Sequence, residues 1–172
     1  MRKRKFWGWG YADELLSAEE EKNIDSRIAK TFQLDDIETL PIPKVEDIDL
    51  PEPRLSAPSA LTKVLSEDKE ERLNHTYGKS FPDAARSLLK DFTSPPDLVA
   101  FPNTEDDLIN VMDWCDESNI AVIPYGGGSS VCGGVETQVG DSYSGVVSLD
   151  LRNLNQIIEI DSESRSARIQ AG

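Results

Sequence analysis

From residue 96 onward the apolar positions fall into short runs that repeat in a regular order. Asp97-Leu98-Val99-Ala100-Phe101-Pro102 is an apolar run stopped by proline, the pattern of a buried strand. Asn103 or Thr104 then caps a helix opened by Glu105, Asp106 and Asp107, whose charges suit a helix N-terminus. Leu108, Val111, Met112 and Cys115 recur at helical spacing, so one face is expected to be buried. Ser118-Asn119 ends that helix, and Ile120-Ala121-Val122-Ile123-Pro124 is a second strand. Strand, helix and strand together predict a βαβ unit with parallel strands. A glycine-rich loop follows, then a third strand from Gly145 to Leu151. Ile157–Asp161 and Ser166–Ala171 flank the polar turn Ser162–Arg165 and predict a hairpin.

The first ninety residues follow a different pattern. Ser17-Ala18-Glu19-Glu20 reads as a capped helix start, and Ile24, Ile28, Phe32 and Leu34 form a weak apolar stripe behind it. Pro41, Pro43, Pro51, Pro53 and Pro58 forbid a continuous helix or a central strand. That stretch reads as an extended arm lying on another surface, with disorder as the alternative. Ser66–Tyr77 is expected to be helical with Gly78 as terminator, and Phe81–Phe92 to hold a short amphipathic helix carrying Ala84, Ala85, Leu88 and Leu89. The expected organisation is α+β: an acidic, proline-containing helical extension over 1–90, then a βαβ unit with further strands over 91–172.

Composition narrows the function classes. The 172 residues carry a formal charge of −14, and residues 11–53 contribute 13 acidic against 4 basic side chains. An acidic balance argues against nucleic acid as a partner. No apolar stretch is long enough for a transmembrane segment. Cys115 and Cys132 alone exclude a disulfide framework and fit a reducing compartment, so a cytoplasmic location is the default expectation. One histidine, His75, leaves little for a multi-histidine metal site, and the Glu105-Asp106-Asp107 cluster is explained by the helix dipole. No metal is expected. Ala167–Gly172 reads as a strand without a closing element, as in part of a longer protein.

The chemistry is concentrated in Pro124-Tyr125-Gly126-Gly127-Gly128-Ser129-Ser130-Val131-Cys132-Gly133-Gly134, directly after a buried strand. Five glycines in eleven residues allow the backbone to present successive N–H groups inward as an anion-binding nest. The loop has no lysine, arginine or histidine, so the charge of an anionic ligand such as a diphosphate is expected to be met mainly by backbone dipoles. A mobile hairpin tip is the bland alternative. No lysine follows the glycines as in a GxxxxGK[ST] loop, and the loop does not open a helix as a dinucleotide-binding GxGxxG does.

Residues 96–134, PDLVAFPNTEDDLINVMDWCDESNIAVIPYGGGSSVCGG, resemble the FAD-binding domain of vanillyl-alcohol-oxidase-type flavoproteins, most nearly the alkylglycerone-phosphate synthases and bacterial FAD-binding oxidases. Phe6-Trp7-Gly8-Trp9-Gly10-Tyr11, HTYGKSFPD (75–83), VVSLDLRNLNQIIEID (146–161) and ARIQAG (167–172) match in the same order. The resemblance implies the first half of such a domain. It places FAD, bound non-covalently here, with its diphosphate on Pro124, Tyr125, Gly126, Gly127, Gly128, Ser129, Ser130, Val131, Gly133 and Gly134. No histidine occupies the loop for a covalent flavin link, and Cys132 is expected to be a small packing residue. Valine at Gly127 and Gly128 is expected to block the diphosphate. The strand ending at Ala171-Gly172 would run beside the cofactor.

The family's active-site residues lie further along, so no residue here is named catalytic. The implied activity is acyl-to-alkyl exchange on a lipid-like substrate, that of a transferase in lipid biosynthesis on an oxidoreductase-type fold. Hydride transfer from a 2-hydroxy acid such as lactate or glycolate is the alternative, and a non-catalytic nucleotide-binding module comes from another class. Homodimerisation is implied by the family alone. His75 reads as a cap, a surface contact or a proton carrier. Asp150 reads as a cap or a cofactor contact, Trp7 and Trp9 as anchors of the N-terminal arm, and Lys3–Lys5 as a weak lipid contact.

Overall fold

The computed structural model describes residues 2–172. Helix α1 (Ala18–Phe32) starts with a capping box between Ser17 and Glu20 and buries no residue. Strand β1 (Leu65–Ser66) is followed by α2 (Lys69–Asn74), capped by Asp68 and closed by His75. The helix therefore stops short of Gly78, and Ser66 is strand where helix was expected. Helix α3 (Phe81–Leu88) has a capping box of Ser80 and Asp83. It buries Asp83 and Ser87 while Leu89 is exposed, so its apolar positions do not define the packed face.

Strand β2 (Leu98–Ala100), helix α4 (Glu105–Glu117), strand β3 (Ile120–Tyr125) and strand β4 (Gly145–Asp150) form the centre. Thr104 is the N-cap of α4, Val111 and Cys115 are buried on it, and Met112 is exposed. Burial raises the Cys115 thiol to about 11. The sheet order is β1-β2-β4-β3, with β2 and β3 each parallel to β4 and β1 antiparallel to β2. The two strands of the expected βαβ unit are thus parallel but not neighbours. Strand β4, buried at all six positions, is inserted between them because its run satisfies an apolar environment on both faces.

Strands β5 (Ile157–Asp161) and β6 (Ser166–Ile169) pair as the expected hairpin, β6 ending two residues short of the predicted Ala171. Ile157, Ile158, Ile160 and Ile169 stand exposed on it.

Two cores hold these elements. The larger joins Leu61, Val64 and Leu65 to β2, α4, β3 and β4. Beneath it Asp97 is buried, its carboxylate accepting from Arg54 N (2.7 Å), Arg54 Nη2 (2.8 Å) and Val146 N (2.7 Å). The smaller gathers Phe6, Ile48, Leu73, Tyr77 and Phe92, with Trp7, Val45 and Leu50 at its edge. The proline-rich stretch is accordingly an extended arm pinned by Ile48, and Phe6 anchors the N-terminal arm. Trp7 is partly buried, whereas Trp9 is exposed. No helix among the described residues is long and apolar enough to cross a membrane.

Candidate nucleotide-diphosphate site

The glycine-rich loop leaves the carboxyl end of β3, which lies parallel to β4, where ligands gather in open α/β sheets. Tyr125 ends the strand and turns inward. Its hydroxyl donates to Asn74 O (2.9 Å), its ring lies 4.1 Å from the His75 ring, and burial pushes its phenol up to about 12. Gly128 takes φ +64°, and a Cβ there would meet the Tyr125 hydroxyl oxygen at 2.0 Å. Glycine is required at that position by both backbone and space.

The loop is clamped from one side. Lys79 N donates to Ser130 O (2.7 Å), and a Cβ on Gly78 would come within 2.2 Å of the same oxygen. Ser130 Oγ accepts from Gly134 N (2.9 Å), closing the second half of the loop on itself. The N–H groups of Gly126, Gly127, Gly128 and Ser129 have no acceptor among the described residues. Gly126 and Gly127 line a cavity of about 920 Å³ together with Arg4, Asn74, Arg152 and Gly172. A Cβ on Gly126 would meet nothing within 4 Å. Open donors on a glycine cradle beside a roomy polar cavity fit a nucleotide diphosphate.

The sequence-predicted residues divide accordingly. Gly126 and Gly127 face the cavity, Tyr125 and Gly172 stand at its wall, and Ser129 lines an adjoining smaller cleft. Pro124 is exposed in β3. Val131, Gly133 and Gly134 do not line the large cavity. Cys132 is exposed, so it is not the packing residue expected of it. Valine at Gly128 would strike the Tyr125 ring, so of the two positions only Gly127 reports on the ligand side.

His75 and Asp150 form a buried pair under the loop. His75 Nε2 lies 2.9 Å from Asp150 Oδ2, and Nδ1 lies 2.6 Å from Glu71 O. Arg152 donates its Nε to Asp150 Oδ2 (2.7 Å). Burial pushes the Asp150 carboxyl upward, but hydrogen bonds from His75 and Arg152 outweigh it and hold it below its ordinary value. The pair supports Tyr125 and orients Arg152 at the cavity. His75 is thus both a helix cap and an interior strut.

One group escaped sequence reasoning. Arg4 Nη1 donates to Gly127 O, bringing a cation to a loop that has none of its own. Lys79, largely buried nearby, donates its Nζ to Lys5 O (3.0 Å), and burial lowers its ammonium to about 8. The only available signal was the basic run ahead of Phe6, and its spacing says nothing about the loop.

Residues 96–172 match the family profile described as FAD binding domain. The alkyldihydroxyacetonephosphate synthase of Trypanosoma brucei brucei is 35% identical over 72% of this chain and 21% of its own length. That of Dictyostelium discoideum is 31% identical over 65% of this chain and 18% of its own. A glycolate oxidase subunit of Bacillus subtilis is 30% identical over 63% of this chain and 24% of its own. A solved alkyldihydroxyacetonephosphate synthase superposes with a TM-score of 0.81 at 25% identity, covering 97% of this chain and 36% of that one. The chain spans about a fifth of the length of the curated synthases it matches. The matched segment is that of a domain that binds FAD.

Proposed function

We propose that this chain, whose residues 96–172 match a FAD binding domain, is the FAD-binding part of an alkylglycerone-phosphate-synthase-like flavoenzyme. The observation that carries the reading is the glycine cradle at the end of β3, whose four consecutive N–H groups have no acceptor among the described residues and whose Gly126 and Gly127 line the large cavity. In this reading Gly126–Ser129 hold the diphosphate directly. Pro124 and Tyr125 set the direction of the loop, and Ser130, Val131, Gly133 and Gly134 close its far side. Tyr125, braced by His75, keeps the cradle rigid, and Gly172 abuts the cofactor's path. The bound flavin supplies electron-accepting chemistry, while this segment binds, orients and shields it. Attachment is non-covalent here, since no histidine occupies the loop and Cys132 stands away from the cavity.

Residues 91–172 carry the cofactor and 1–90 wrap around them in this proposal. The substrate is a lipid-like acylated glycerone phosphate that exchanges its acyl group for an alkyl one, and the protein works in the cytoplasm as a homodimer without nucleic acid. Oxidation of a 2-hydroxy acid is the second reading, supported by the likeness to a glycolate oxidase subunit and to a yeast D-lactate dehydrogenase. The test is to purify the full-length protein, record its flavin absorbance, and offer it either an acylated glycerone phosphate with a fatty alcohol or a 2-hydroxy acid without oxygen. Flavin bands with alkyl exchange support the proposal. Bleaching by the hydroxy acid alone transfers it to the second reading, and a folded protein that takes up no flavin refutes both.

A further inference from the structure

The N-terminal arm is a small hairpin. Lys5 N donates to Gly10 O (3.1 Å), Ala12 N donates to Lys3 O (2.9 Å), and Arg4 bridges Tyr11. Phe6 plugs the smaller core, and Lys79 Nζ holds Lys5 O. This anchoring fixes four basic side chains, and three are occupied within the arm and its surroundings. Arg2 pairs with Asp13 (2.7 Å) and Glu14 (3.0 Å), Lys3 pairs with Glu70 (2.6 Å), and Lys5 donates to Glu14 O. Arg4 has no carboxylate in ion-pair reach among the described residues. It reaches Gly127 O instead and lines both the large cavity and the cleft beside Ser129. A guanidinium has five donors in a planar fork, so one bond to a carbonyl leaves a face free for phosphate oxygens.

We propose that the N-terminal hairpin is a cationic clasp for the cofactor, with Arg4 binding the diphosphate that Gly126–Ser129 cradle. The inference rests on the loop's assignment to FAD and adds a side-chain cation to the backbone dipoles expected to meet most of the ligand's charge. Lys79 is the positioning residue that fastens the clasp, linking the arm through Lys5 O and the loop through Ser130 O.

The test uses the full-length protein stripped of flavin and titrated with FAD by fluorescence quenching. Arg4→Gln is expected to weaken binding about tenfold or more, the size of one charge-assisted hydrogen bond. Arg4→Lys is expected to restore part of the loss, and Lys22→Gln on α1 to leave affinity unchanged as the control for net charge. Brief trypsin digestion is the second measurement, with FAD expected to protect the Arg2–Lys5 run in the unmodified protein and not in Arg4→Gln. Arg4 is exposed, so folding of the variants is not in question. Equal affinity of Arg4→Gln and the unmodified protein, or trypsin cleavage that FAD does not slow, overturns the clasp while leaving the loop assignment standing. Failure of the unmodified protein to bind FAD overturns both.

Discussion

Gly78 is where the loop's position is decided by sterics. A methyl group there would lie 2.2 Å from Ser130 O and 3.2 Å from Asp83 Oδ2, roughly 1 Å inside van der Waals contact with a backbone atom. The loop must retreat by about that distance, which stretches Lys79 N–Ser130 O from 2.7 Å beyond hydrogen-bonding range. Overpacking of this kind costs about 1–3 kcal/mol and the lost hydrogen bond about 0.5–1.5 kcal/mol. Gly78→Ala should therefore lose about 2–4 kcal/mol of stability, a melting point lower by about 5–15 °C for a chain of this size. Gly126→Ala is the counterpart. Its methyl meets nothing within 4 Å, so the melting point of the flavin-free protein should stay within about 1 °C. The same methyl projects into the cradle, and FAD affinity should fall about tenfold or more. Calorimetry of the flavin-free protein and FAD titration measure the two quantities separately. An unchanged melting point in Gly78→Ala refutes the steric argument. A Gly126→Ala variant that binds FAD normally removes the cradle from the cofactor site.

Asp97→Asn should destabilise the fold by about 2–4 kcal/mol at neutral pH, because the carboxylate serves Arg54 and the buried N–H of Val146 together. Burial raises this carboxyl but the hydrogen bonds from Arg54 and Val146 outweigh it, so its folded pKa lies below 3.8. Its contribution is present above that value and disappears as pH falls through the folded pKa, so denaturation curves of the two proteins should converge in strong acid. Lys79 works in the opposite sense. With a folded value near 8 against an ordinary 10.5, the unfolded chain binds the extra proton between these limits. Unliganded protein should therefore gain stability relative to Lys79→Met as pH rises through that window. A pH-independent difference in urea titrations would show that burial does not penalise the ammonium. Phe6→Ala should cost about 3–5 kcal/mol and open the N-terminal arm to trypsin, since Phe6 is 5% exposed and stacks edge-on against Phe92 at 5.9 Å.

Several elements were legible because their causes are local. Thr104 with Asp107 caps α4 within four residues, and the five glycines after Tyr125 announce a loop that exposes its own N–H groups. Ile157–Asp161 and Ser166–Ile169 pair across a short polar turn. The resemblance to FAD-binding flavoproteins rested on these same contiguous segments, and residues 96–172 match that family. The end of α2 was misplaced because His75 is drawn into a bond with Asp150, 75 residues away, and no helix propensity records that pull. Met112 follows the helical stripe of α4 yet stays exposed, since the stripe is wider than the surface it covers.

The sequence by itself determined where β2 to β6, the caps of α1 and α4 and the glycine cradle lie, since backbone propensity and side-chain period act over a few residues. Tertiary structure alone decided that β4 enters between β2 and β3, that His75 and Asp150 brace Tyr125, and that Arg4 reaches Gly127 across 123 residues. Those contacts depend on which surfaces bury together, and that is a property of the packed whole rather than of any local run of residues.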